Sequence, residues 1–138
     1  MYKQIMVPVD LAHSDKLGRA IDTAADLSKY YKIPVVYIGV SASLPGSLAH
    51  SPTEYEAVLK KFAAAQSELH GIEGAAKAYI SHDPAVDLDE TLLKAIDETG
   101  SDLVVMASHI PNVADHIWPS NGGTIASRSN VSVFVVRQ

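Results

Sequence analysis

The sequence predicts an α/β protein: one domain over residues 1–138, built as a parallel sheet with helices on both faces. Short, largely apolar runs at residues 5–9, 33–40, 103–106 and 131–136 have strand length and are rich in β-branched residues. They lack the alternation of strands that face water on one side, so they are read as covered on both faces. Between them lie segments whose apolar residues recur at helical spacing, so strand and helix alternate along the chain.

The first run contains Pro8 close to its end, where a missing N–H matters least, and Asp10 follows. Ser14 or Asp15 is expected to cap a helix reaching about Lys32, with Leu17, Ala20, Ile21, Ala24, Leu27 and Tyr31 on its inner face. Residues 33–40 form the second strand. Residues 41–51 read as a loop with Pro45-Gly46 as its turn, and Pro52 is well placed to open a helix. Tyr55, Val58, Leu59, Phe62, Ala65 and Leu69 make the apolar stripe of that helix, which ends at Gly71. Residues 76–81 alternate weakly and read as an edge strand. Asp83 is expected to cap a third helix and Pro84 to open it; Val86, Leu92, Leu93 and Ile96 follow, and Gly100 stops it. Residues 103–107 are the fourth strand. A polar loop then leads to Ser120-Asn121-Gly122-Gly123-Thr124, which opens a short helix to about Arg128, and residues 131–136 are the last strand.

Strand, polar loop and helix start converge unpaired N–H groups and the positive end of a helix dipole, which is how an anion site is built. The loop after the fourth strand therefore reads either as a phosphate cradle or as a plain connection. Asp10 can hydrogen-bond a ribose hydroxyl or an exocyclic amine, or it can cap the turn that follows it. His109 can bind phosphate, move a proton, or pack. In open parallel sheets ligands sit beyond the carboxyl ends of the strands, where the strand order reverses. If the first strand neighbours the fourth, Asp10 faces Ser108 and His109 across that crevice.

Composition excludes several classes. A formal charge of −5 argues against a nucleic-acid or anionic-membrane binder, since both need a basic field. The absence of cysteine removes disulfides, thiolate chemistry and Cys-type metal sites. No basic-then-apolar leader and no apolar run near 18 residues is present, so a soluble, cytoplasmic protein is expected. His13, His109 and His116 do not share a metal-ligand spacing, and no metal is expected. Neither a Walker-type loop, a Gly-x-Gly-x-x-Gly nor a Gly-x-Ser-x-Gly elbow occurs, so no catalytic residue is assigned. The last strand, Val-x-Val-Phe-Val-Val, would be an apolar edge, and a two-fold partner pairing strand to strand would cover it.

Ile5-Met6-Val7-Pro8-Val9-Asp10, Asp83-Pro84, the run from Ser101 to His109 and the ending Val133-Phe134-Val135-Val136-Arg137 together resemble the universal stress protein family. Ser108-His109-Ile110-Pro111-Asn112 with Ser120-Asn121 is similar to the subgroup in which a Ser-His-Arg-Pro-Asp loop leads to Gly-Ser-Asn. The resemblance implies a flavodoxin-like (adenine nucleotide alpha hydrolase-like) three-layer sandwich with a five-stranded parallel sheet in the order 3-2-1-4-5. It also implies a homodimer through the strand between Val131 and Arg137, and adenine-nucleotide binding in a stress response. By that likeness Asp10, beside Pro8 and Val9, meets the adenosine, and the backbone at Val40 meets the adenine edge. Ala107, Ser108, His109 and Asn112, with Ser120, Asn121 and Gly122, stand where ribose and phosphates are held. The ligand would be ATP or another adenine nucleotide, with Mg2+ as its counterion.

The sequence departs from that pattern where the phosphates would lie. The family's Gly-Ser-His-Gly is here Ala107-Ser108-His109-Ile110, and the Gly of Gly-Ser-Asn is Pro119. A Cβ hinders close approach of the backbone, and proline offers no N–H. A non-nucleotide interaction module of the same fold is accordingly the alternative reading. Slow ATP hydrolysis or autophosphorylation through His109 or Ser120 is a third, and a binding protein fits better because no in-line nucleophile is identifiable. A flavin carrier fits poorly, because Asp10-Leu11-Ala12-His13-Ser14 is a meagre phosphate loop.

Overall fold

The computed structural model describes residues 1–43, 45–46, 49–108 and 122–137. In chain order these form β1 (Ile5–Pro8), a 3₁₀ turn (Leu11–Lys16), α1 (Gly18–Tyr31), β2 (Val35–Ala42), α2 (Pro52–His70), β3 (Gly74–Ser81), α3 (Pro84–Thr99), β4 (Leu103–Ala107), α4 (Gly122–Arg128) and β5 (Ser132–Val136). The strands are parallel and ordered β3-β2-β1-β4-β5, the order the family likeness implied.

Alternate residues of the central strands feed two separate cores, which is why their sequences read as unbroken apolar runs. Ile5, Val7, Val9, Val35 and Tyr37 pack with Ala20 and Ala24 of α1 and Leu59 and Ala63 of α2. Met6, Val36, Ile38, Val104 and Met106 pack with Leu88, Leu92 and Ala95 of α3 and Ile125 of α4. No helix among the described residues is long and apolar enough to cross a membrane.

Three boundaries differ from expectation, each for a local reason. Neither Ser14 nor Asp15 caps the first helix. The Asp10 carboxylate instead accepts the Ala12 N–H at 3.2 Å and tightens the chain at once into the 3₁₀ turn. His13, at φ −131° and ψ 32°, breaks the helical run, and α1 starts only at Gly18. The second strand starts at Val35, because Ile33 donates its N–H back to Ser28 at the end of α1 and Pro34 has none to give. The third strand starts at Gly74 and pairs with β2 over its whole length. A side chain at Gly74 would run into the Ser67 hydroxyl, so packing selects a residue of poor strand propensity there.

The caps behave more simply. Ser51 accepts the Glu54 N–H at 3.1 Å while Glu54 reaches back to the His50 N–H at 3.2 Å, fixing the start of α2. Gly71 and Gly100 end α2 and α3 with φ of +65° and +67°, a conformation that a Cβ disfavours. Asp83 holds the N-cap position of α3, yet its side chain makes no capping bond; its carbonyl accepts the Val86 and Asp87 N–H groups.

One core group works against stability. The Tyr37 side chain is fully buried edge-on against Phe62, and its hydroxyl finds no hydrogen-bond partner among the described residues. A buried, unsatisfied hydroxyl destabilises by about 1 kcal/mol or more. Tyr37→Phe is therefore expected to raise unfolding stability by about 1 kcal/mol in urea titrations. An unchanged or lower midpoint would show that the hydroxyl is satisfied.

Candidate functional site

The seam between β1 and β4 is tied firmly at its start, and its register ends at Met6 opposite Val104. At its start the Asp102 carboxylate accepts the Lys3 N–H at 2.9 and 3.0 Å and the Gln4 N–H at 3.2 Å. The Gln4 amide adds bonds to the Thr99 carbonyl at 2.9 Å and the Ser101 hydroxyl at 3.1 Å.

Ile5 and Val9 donate to β2, at 3.0 Å to Pro34 and 2.8 Å to Ile38, so the intervening residues Met6, Pro8 and Asp10 turn their backbones toward β4. Pro8 has no N–H to offer there. The β1–β4 register accordingly stops at Met6 opposite Val104, whereas β1–β2 pairing continues to Pro8 opposite Ile38. Extending that register by four residues on each strand brings Asp10 level with Ser108. No strand intervenes between them. The carboxyl ends of β1 and β4 thus run on past their last register pair, at the place where the sheet's connections reverse direction.

Asp10 follows the end of β1 with a side chain only 13% exposed. One oxygen takes the Ala12 N–H, and the other lies 3.4 Å from His13 Nδ1. The His13 contact is electrostatic in character, since its geometry does not make Nδ1 a satisfied hydrogen-bonding atom. Burial raises the Asp10 pKa above the ordinary carboxylate value; the neighbouring His13 imidazole and the Ala12 amide oppose that shift without cancelling it. Asp10 thus caps the turn that follows it while standing just beyond the carboxyl end of β1.

The other sequence candidates divide. Val9 and Val40 have buried side chains, so only their backbones could meet a ligand, and Pro8 is buried at the seam it opens. Ala107 and Ser108 are half-buried at the end of β4. The Ser108 N–H already donates to Val136 at 2.8 Å, which removes it from the donors available to a phosphate. Gly122 is buried for a packing reason, because a Cβ there would come within 2.6 Å of Val135 Cγ2. His109, Asn112, Ser120 and Asn121 lie outside the described residues, as does Pro119. Among the described residues no group of three His, Asp or Glu side chains is placed to hold a metal ion.

Two neighbours of Asp10 escaped the sequence reading. The sequence offers His13 only as a metal ligand and as part of a meagre phosphate loop, not as the partner of Asp10. Tyr55 was read as one residue of the α2 stripe, but it lies across β2 at Gly39. The available signal was Gly39 itself, a glycine inside an apolar strand, which marks a close approach.

A model of the universal stress protein family matches residues 1–137. Universal stress protein G of Shigella flexneri is 26% identical over 148 residues, covering 99% of this chain and 100% of that protein. Among solved structures, a universal stress protein in complex with cAMP superposes with a TM-score of 0.70 at 18% identity, covering 99% of this chain and 97% of that one. The Archaeoglobus fulgidus universal stress protein in complex with dAMP gives a TM-score of 0.66 at 20% identity, covering 97% of each chain. At such identities the structures share the fold, while the family model extends over nearly the full length: the chain belongs to the universal stress protein family.

Proposed function

We propose that the chain binds an adenine nucleotide, ATP or a related one, in the crevice between β1 and β4, and acts as a cytoplasmic homodimer in a stress response. The observation that carries the reading is the β1–β4 register ending at Met6, before Pro8, with the largely buried Asp10 carboxylate following β1 and Ser108 following β4. Relatives of the same fold in complex with cAMP and dAMP support the same ligand class. In this reading Pro8, Val9 and Asp10 meet the adenosine, the Val40 backbone meets the adenine edge, and Ala107 and Ser108 border the ribose. The phosphates, with Mg2+ where three are present, fall to His109, Asn112, Ser120, Asn121 and Gly122. The chain is read as a single domain and as a binding protein.

The two sheet edges differ in a way that supports pairing through β5. On the β3 edge Lys77 lies 3.6 Å from Glu98 and 5.3 Å from the centre of the Tyr79 ring, and charge at an edge discourages strand addition. On the β5 edge Phe134 and Val135 are 46% and 42% exposed, with no charged residue from Val131 to Val136.

Isothermal titration with AMP, and with ATP plus magnesium, tests the ligand. Saturable heat at one site per chain is expected, and no heat at high-micromolar protein rejects the reading. The alternative, an interaction module without nucleotide, draws support from the Ser108 N–H already spent on Val136 and from Pro119. Nucleotide absorbance retained by freshly purified protein would dismiss that alternative.

A further inference from the structure

A second polar group stands near the end of β1 on the α2 side. Tyr55, in the first turn of α2, is 6% exposed, and the hydroxyl end of its ring lies over β2 at Gly39. A Cβ at Gly39 would stand 2.5 Å from the Tyr55 hydroxyl oxygen and 3.0 Å from its Cε1, so only glycine admits the ring there. Pro8 pairs with Ile38, and Val9 donates to the Ile38 carbonyl, which sets Gly39 beside Val9, one residue before Asp10. The phenol therefore ends on the Asp10 side of the crevice. Burial first, and the negative charge of Asp10 second, hold its proton on far above the ordinary tyrosine range. The Asp10 carboxylate meets the Ala12 N–H and His13, both from its own turn. Tyr55 is a permanent donor and Asp10 an acceptor, and they share one corner.

A donor and an acceptor converging on one spot are the complement of a hydroxyl, which has a proton to give and lone pairs to receive one. Resting on the nucleotide reading above, we propose that Tyr55 and Asp10 together recognise a sugar hydroxyl of the bound nucleotide. The Tyr55 O–H donates to the sugar oxygen, and Asp10 accepts the sugar proton. A site matched in this way to a hydroxyl discriminates strongly against the analogue that lacks it, because its own polar groups are then left unpaired.

The test titrates wild type and Tyr55→Phe with AMP, 2′-deoxy-AMP and 3′-deoxy-AMP, and records the thermal melt of each protein. Tyr55→Phe keeps the ring in the Gly39 notch and removes only the donor. AMP affinity is expected to fall about 5- to 20-fold, as loss of one hydrogen bond gives. With the deoxy analogue that lacks the recognised hydroxyl, wild type and variant should bind alike. Gly39→Ala, which displaces the ring, should reproduce the pattern if Tyr55→Phe proves unstable. Equal affinity of Tyr55→Phe and wild type for AMP overturns the proposal while leaving the nucleotide reading intact, and so does an equal loss on all three ligands. Wild type that takes up none of the three removes both.

Discussion

Asp10→Asn should weaken adenine-nucleotide binding by about 10- to 100-fold, the range for losing a hydrogen bond to a charged group. The same change should leave the fold as stable as before, or more stable. Asparagine caps a turn about as well as aspartate, so the Ala12 N–H keeps its partner. The direction of the stability change follows from the raised Asp10 pKa, whose main cause is burial. The folded carboxyl keeps its proton to higher pH than the unfolded one, so folding is penalised once both are ionised. That penalty is absent below the unfolded pKa, grows as pH rises from there through the folded value, and is complete above the folded value. Asp10→Asn should therefore melt at or above the wild-type temperature at pH 7 and gain nothing in strong acid. Ligand affinity of wild type should in turn decline on acidification earlier than an ordinary aspartate would dictate. Titration calorimetry and thermal melts on the same preparations check both halves. Lower stability together with unchanged affinity would reduce Asp10 to a cap.

Val133→Pro should convert a dimer into monomers. Ser132 donates to the Asp102 carbonyl at 3.3 Å, and the Val136 carbonyl accepts from Ser108 at 2.8 Å, so these residues of β5 face β4. Backbone direction alternates along a strand, which leaves the N–H groups of Val133 and Val135 on the open edge. Proline at 133 removes an outward donor and no bond of the sheet itself. A partner strand would lose a ladder bond on each side of the two-fold axis, and each proline ring would obstruct its approach. Light scattering behind size exclusion reads the mass directly. Wild type that elutes as a monomer at all concentrations, or a variant that remains dimeric, counts against pairing through β5.

Much of the architecture could be read from the chain because its strands are covered on both faces and its helices end at glycine. The runs around Met6, Ile38 and Val105 have no polar alternation to explain, and Gly71 and Gly100 mark helix ends that hold to the residue. Legibility fails where a side chain competes with the backbone nearby. The Asp10 carboxylate diverts residues 11–16 into a 3₁₀ turn, although the Ser14-Asp15 pair has the composition of a helix start. It also fails where the neighbour is unknown. Pro8 can be placed near a strand end from sequence alone, but whether its missing N–H faces β2 or β4 depends on pairing, and here it falls on the β4 side, where the register ends early. Tyr55 shares the helical spacing of Leu59 and Phe62, so nothing in periodicity separates a residue that walls a site from one that fills a core.

The central claim is that β1 and β4 part above Pro8 to admit an adenine nucleotide beside Asp10. A crystal grown with AMP tests it most directly. The account predicts nucleotide density between the ends of these strands, with a polar atom of the ligand within hydrogen-bond distance of the Asp10 carboxylate. A fully occupied ligand elsewhere on the molecule, or a seam closed by the protein's own side chains with AMP in excess, would contradict it.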